Sequence, residues 1–166
     1  MNPLAHQLVI ATAVVSATVV IHLIGLDLLQ ATLRWHIERL TRWVRLDRMI
    51  VPLGIVIALF AVHGAEIWLY ALVYWGAGAL PSLDQALYFS TSAYSTLGET
   101  GTILPSTWRI VGALEAINGM LLIGWSTAFL FQILRHIMWD EDGVDWIPRG
   151  AISPRTGRRP RPAARP

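Results

Sequence analysis

The chain contains no cysteine and no lysine, and only 14% of its 166 residues are charged. Each shortage excludes something. Without cysteine there are no disulfides, thiolate nucleophiles or Cys-based metal sites, and nothing reports on redox compartment. A soluble domain carries about a quarter charged residues, so too little charge is present to cover a solvated surface. That excludes a soluble enzyme or a nucleic-acid binder, although the pI near 9.5 would otherwise suggest the second. Apolar residues fill the place of charge: 54% of the chain is hydrophobic and the mean hydropathy is +0.50. They gather in three long stretches, which predicts an integral membrane protein of one small domain.

The first stretch, about Leu8 to Leu29, is interrupted by His22 and Asp27. About 20 helical residues cross the hydrocarbon layer, so residues 1–33 are expected to carry a first transmembrane helix. No Lys or Arg precedes the stretch and no small-residue cleavage site follows it, so it is read as retained rather than as a signal peptide. Residues 34–49 are rich in arginine, with Trp35, Leu40, Trp43, Val44 and Leu46 interleaved. This predicts an amphipathic segment lying on a membrane surface, arginines in water and tryptophans at the headgroups. The second span is expected at 50–75, with Pro52 in its first turn and Trp68, Tyr70, Tyr74 and Trp75 as an aromatic belt. The third is expected at 108–135.

Lacking lysine, the chain draws all 13 of its cations from arginine. Five fall in 34–48 and seven in 135–166, whereas 1–33 holds none and 76–109 holds only Arg109. The positive-inside bias then puts the linker and tail on the cytoplasmic side of a cell membrane, facing anionic headgroups. The N-terminus and the 76–109 segment face outside. The tail, 140–166, has no apolar period from Pro148 onward and is expected to be disordered.

The segment between spans two and three is neither a polar loop nor a span. Pro81-Ser82-Leu83-Asp84-Gln85 has the form of a helix start, with Ser82 as cap and Gln85 returning the bond. A short helix is expected over 83–94, too short to cross a bilayer. Ser95-Thr-Leu-Gly-Glu-Thr-Gly101 follows, then Pro105 and the third span. A short helix, a Gly/Thr turn and a return to the same side make a re-entrant loop. Such backbone is tolerated at membrane depth only where protein buries it or a water-filled path runs beside it. A helix pointing its C-terminal end inward favours a cation there, and carbonyls of Thr96, Leu97 and Gly98 with the Thr96 hydroxyl can replace an ion's water shell.

Residues 50–135 resemble the two-span pore unit of the potassium-channel superfamily: outer helix, pore helix, filter, inner helix. The stretch Tyr88-Phe-Ser-Thr-Ser-Ala-Tyr-Ser-Thr-Leu-Gly-Glu-Thr-Gly101 is similar to that family's pore-helix end and T-x-G-Y-G filter. The layout resembles small bacterial members in which an extra helix precedes the pore unit. Aligned on Gly98, the Tyr of the signature is Glu99 and its second Gly is Thr100, closer to the T-I-G-E-T filter of cyclic-nucleotide-gated cation channels. Thr resists the conformations that Gly adopts, so the outer carbonyl rings are not expected to be built as in potassium channels. The resemblance implies a filter of Thr96, Leu97, Gly98, Glu99 and Thr100 in an all-α tetrameric pore. Four copies of Glu99 would form a carboxylate ring for Ca²⁺ or another divalent cation. Fewer than 35 residues follow the last helix, too few for a nucleotide-binding domain.

Gly119 and Gly124 lie in the third span, Gly119 where the family's inner helix often has a hinge; close packing through a small residue is the competing reading. Asn118 and Ser126 are candidates either for an ion cavity or for interhelical hydrogen bonds. Glu115, an acid inside the span, is expected to meet a pore-helix hydroxyl of Ser90, Thr91 or Ser92. His63 and Glu66 share a helix face. The pair alone offers a metal two ligands, with His22 the remaining histidine able to add one, and is read instead as a hydrogen-bonded pair under the pore unit. A proton-sensing role for His63 or His22 is a further reading, resting on the residue type alone. Asp27 is expected to pair with a linker arginine such as Arg34. Asp140, Glu141, Asp142 and Asp145 lack the spacing of an EF-hand and read as a solvated acidic turn, the competing reading being a cation vestibule or Ca²⁺ sensor.

These readings converge on a passive cation channel with no catalytic residues and no cofactor. The permeant ions are K⁺ and Na⁺, with Ca²⁺ either permeant or blocking. One chain supplies one re-entrant segment, so a pore requires a homotetramer. Potassium selectivity is the alternative within the class; a non-conducting assembly or regulatory subunit, or a small proton-coupled carrier, is the alternative outside it.

Overall fold

In the computed structural model the described residues are 3–39, 44–98 and 104–139. They form four helices: α1 (Pro3–Arg39), α2 (Val44–Gly76), α3 (Leu83–Tyr94) and α4 (Arg109–Trp139). Three of these, α1, α2 and α4, are long and apolar enough to cross a membrane, as expected of a membrane protein.

The long helices outrun the apolar stretches that announced them. α1 has 37 residues, about 55 Å at 1.5 Å per residue, against a hydrocarbon layer of about 30 Å. Nothing between Leu26 and Arg39 breaks it: that run has no Gly or Pro, and nine of its 14 residues are Leu, Arg, Gln, Ala or Glu, all good helix formers. Both ends of the Arg-rich segment 34–49 are helical, since α1 continues to Arg39 and α2 begins at Val44. Residues 40–43 lie outside the described residues, as do Glu99, Thr100 and the tail 140–166 with its acidic group Asp140, Glu141, Asp142 and Asp145. The earlier start of α2 also moves Pro52 from the expected first turn to the helix interior. There it removes one backbone donor, a cost that membrane helices tolerate.

α1 and α4 run parallel, in a register that three hydrogen bonds fix at successive heights. The Ile110 amide donates to Gln7 Oε1 at 3.3 Å, Asn118 Nδ2 to Thr18 Oγ1 at 2.8 Å, and Ser126 Oγ lies 3.4 Å from His22 Nε2. α2 runs antiparallel to both. One apolar cluster gathers Ala11, Val14, Tyr70, Tyr74, Phe89 and Val111 at one end. A second gathers Leu26, Ile55, Leu59 and Phe129 at the other. Between them lies a polar middle layer of Thr18, His22, Glu66, Asn118 and Ser126, all buried.

Candidate functional site

α3 begins where the sequence signals it. Ser82 is in extended conformation and its Oγ accepts the Gln85 amide at 3.2 Å, satisfying one of the free donors of the first turn. The helix starts beside Ala79 and Leu80, in the end cluster, with Ala86 and Phe89 buried against Tyr74. Its twelfth and last residue, Tyr94, lies at mid-height of α2 and α4. The Tyr94 hydroxyl reaches His63 and Glu66 of α2. On the α4 side, the backbone of Tyr94 sits so close to Gly119 that an added Cβ would overlap its carbonyl. By Leu104 the chain is back in the end cluster. α3 thus enters from one end of the bundle and stops halfway.

The turn after α3 is unusual backbone. Thr96 has a φ of 60° and Gly98 one of 85°. For Gly98 this is unforced; for the β-branched Thr96 it is an outlier that its surroundings must hold in place. The amides of Ser95, Thr96 and Leu97 turn back to the carbonyls of Thr91, Ala93 and Ser92, closing the C-terminus of α3. Thr96, Leu97 and Gly98 are exposed, Leu97 to 70%. Exposed backbone and an exposed leucine thus sit at mid-height of a bundle of membrane-spanning length.

Two fully buried carboxylates hold α3 from either side. Glu115 of α4 accepts from Ser90 Oγ at 2.5 Å and from the Tyr74 hydroxyl at 2.7 Å; Ser90 also lies 2.9 Å from the Ile67 carbonyl of α2. Of the three hydroxyls proposed for Glu115, Ser90 is the one it meets. Glu66 of α2 takes an imidazole on each oxygen. His22 Nδ1 is 2.9 Å from Oε1 and His63 Nδ1 is 3.1 Å from Oε2. The Tyr94 hydroxyl donates to the same Oε2 and lies 2.9 Å from His63 Nδ1. The His63–Glu66 pair does lie beneath the end of α3, joined there by His22 from α1.

The remaining candidates divide. Asn118 and Ser126 take interhelical hydrogen bonds to α1, Asn118 also lying 3.4 Å from the Tyr70 hydroxyl. Both are buried. Gly119 packs against α3 as a small residue, whereas Gly124 has open space around it. Asp27 is exposed on α1, and no ion pair joins it to Arg34 among the described contacts. Sequence reasoning missed Tyr74, Tyr94 and Thr18. Their hydroxyls are satisfied across helices far apart in sequence, and the only local signal was a phenol or hydroxyl inside an apolar run. No protein-family model, curated protein or solved structure matches the chain.

Proposed function

We propose that the chain is one subunit of a passive cation channel of the potassium-channel type. In this reading α2 is the outer helix, α3 the pore helix, α4 the inner helix, and Thr96, Leu97, Gly98, Glu99 and Thr100 line the filter. The observation that carries the reading is the course of α3: a 12-residue helix that stops at mid-height and hands on to an exposed turn with two left-handed residues. Backbone at that depth must be covered by protein or line a water-filled path, and four copies around an axis would supply both. The C-terminal end of α3 would aim its negative dipole end at the axis, and the carbonyls of Thr96 and Leu97 would stand in for an ion's hydration shell.

Glu99 in place of the family's Tyr makes weak selectivity among K⁺ and Na⁺ the expected outcome, with Ca²⁺ permeating or blocking at the carboxylate ring. Arginine placement sets the orientation, with the 76–109 segment outside and the Arg-rich ends against anionic lipid on the cytoplasmic side. The test is bilayer recording of purified protein under K⁺/Na⁺ and then Ca²⁺ gradients, wild type beside Glu99→Gln. A reversal potential between the K⁺ and Na⁺ equilibrium values, and a divalent response lost in the mutant, are expected. Reversal pinned at the K⁺ value overturns weak selectivity. An unchanged divalent response removes Glu99 from the mechanism, and absence of current together with tetramers identifies a non-conducting assembly instead.

A further inference from the structure

His22 is brought to Glu66 across 44 residues of sequence, and with His63 it completes a set that neither helix holds alone. One ligand atom from each of His22, His63 and Glu66 lies within 4.8 Å of the others. We propose that these three side chains bind a divalent first-row transition ion of the Zn²⁺ kind, its fourth position facing the Tyr94 hydroxyl. The site is independent of whether the assembly conducts.

Geometry is the first argument. Ligands about 2.0–2.2 Å from a tetrahedral ion stand about 3.3–3.5 Å from one another. The two imidazole–carboxylate contacts, one on each carboxylate oxygen, are 2.9 and 3.1 Å, and one ligand atom of each side chain lies within 4.8 Å of the others, so small rotations of the carboxylate and the rings bring three donors onto one ion. The Tyr94 oxygen, 2.9 Å from His63 Nδ1, is at the same kind of spacing. His63 and Glu66, three apart on one helix, project together as ligand pairs in metal-binding helix bundles do.

The donor set selects the metal. Two imidazoles and one carboxylate suit Zn²⁺, Fe²⁺, Ni²⁺ or Cu²⁺, and are too few and too nitrogen-rich for Ca²⁺, which takes six to eight oxygens. On binding, each neutral imidazole gives its Nδ1 lone pair to the ion and carries its proton on Nε2 instead, so no net proton is released by the rings. For His22 that Nε2–H finds an acceptor already in place, Ser126 Oγ at 3.4 Å. An outer partner of this kind orients most metal-bound histidines. His22 and Glu66 have no exposed side-chain surface, whereas His63 is 16% exposed, which gives the ion its way in. A bound ion would join α1 to α2 directly beneath Tyr94, where the exposed turn begins.

The test is titration of the purified full chain in detergent with Co²⁺, whose visible bands intensify in four-coordinate nitrogen/oxygen sites, followed by displacement with Zn²⁺. One Co²⁺ per chain with intense bands is expected, lost on adding one equivalent of Zn²⁺. His22→Gln and Glu66→Gln should abolish the bands, and His63→Gln should weaken binding at least tenfold. A His6→Gln/His136→Gln double variant should leave them unchanged. Helix content by circular dichroism and elution volume report folding for each variant. Because His63 is partly exposed, its variant keeps the test open if His22→Gln fails to fold. Weak, octahedral-type spectra in wild type, or binding that survives His63→Gln at full strength, overturn the proposal. They would leave a hydrogen-bonded network filled only by protons.

Discussion

Glu66 and Glu115 are both fully buried, both inside helices of membrane-spanning length, and both bonded to α3, yet they are solved by different chemistry. Glu115 receives two hydroxyls, from Tyr74 and Ser90. Hydroxyls remain donors across the physiological pH range and are poor ligands for transition ions, so that contact is a fixed tie between α2, α3 and α4. Glu66 receives two imidazoles and one phenol. Imidazoles are ligands for transition ions, so in the proposed site the second contact can give up its hydrogen bonds to a metal. Glu115 thus anchors the middle of α3, whereas Glu66 meets its end through groups that can take an ion.

The comparison breaks most visibly at Glu115. Glu115→Ala leaves the buried Tyr74 hydroxyl without its acceptor, while Ser90 keeps the Ile67 carbonyl; with the cavity left by the side chain this should cost about 2–4 kcal/mol. Thermal unfolding in detergent should show the loss, with Glu115→Gln recovering part of it because an amide oxygen still accepts. Next comes the contact that brings α3 close to α4. Gly119→Ala forces a Cβ onto the Tyr94 carbonyl, overpacking that should cost about 1–3 kcal/mol. If its stability matches wild type while Gly124→Ala loses stability, the close approach at 119 is wrong. Ser82→Ala removes the α3 cap and should cost about 1 kcal/mol, with no effect on Co²⁺ binding. The finest probe is Ser126→Ala, expected to cost about 1 kcal/mol of stability while weakening Co²⁺ binding about tenfold. Unchanged affinity would mean that Ser126 does not orient His22.

Local signals and non-local contacts were unequally legible in the sequence. α3 has the bounds that Pro81–Gln85 and the following apolar residues predict, because capping and dipole preferences act over one turn. Ser90 was among the partners proposed for Glu115, since an acid in an apolar span needs a nearby donor. The polar middle layer was less accessible. Periodicity marks which face of a helix is buried but not which helix it meets, so the sequence leaves Asn118 between a cavity and a neighbour, and its bond to Thr18 decides for the neighbour. The Arg-rich stretch marks another limit: arginine suits a helix interior and a helix end equally well, so the sequence does not place the ends of α1 and α2 inside it.

The three hydrogen bonds between α1 and α4, at Gln7, Thr18 and His22, have a mechanical consequence. Two parallel rods fastened at three heights cannot slide past each other, and they bend as one beam. Any tilt of α4 is therefore carried into α1 and out along its continuous helix past Arg34. The far end of α1 would then act as the long arm of a lever, so that a force applied there exerts torque on the helix that Gly119 presses against Tyr94.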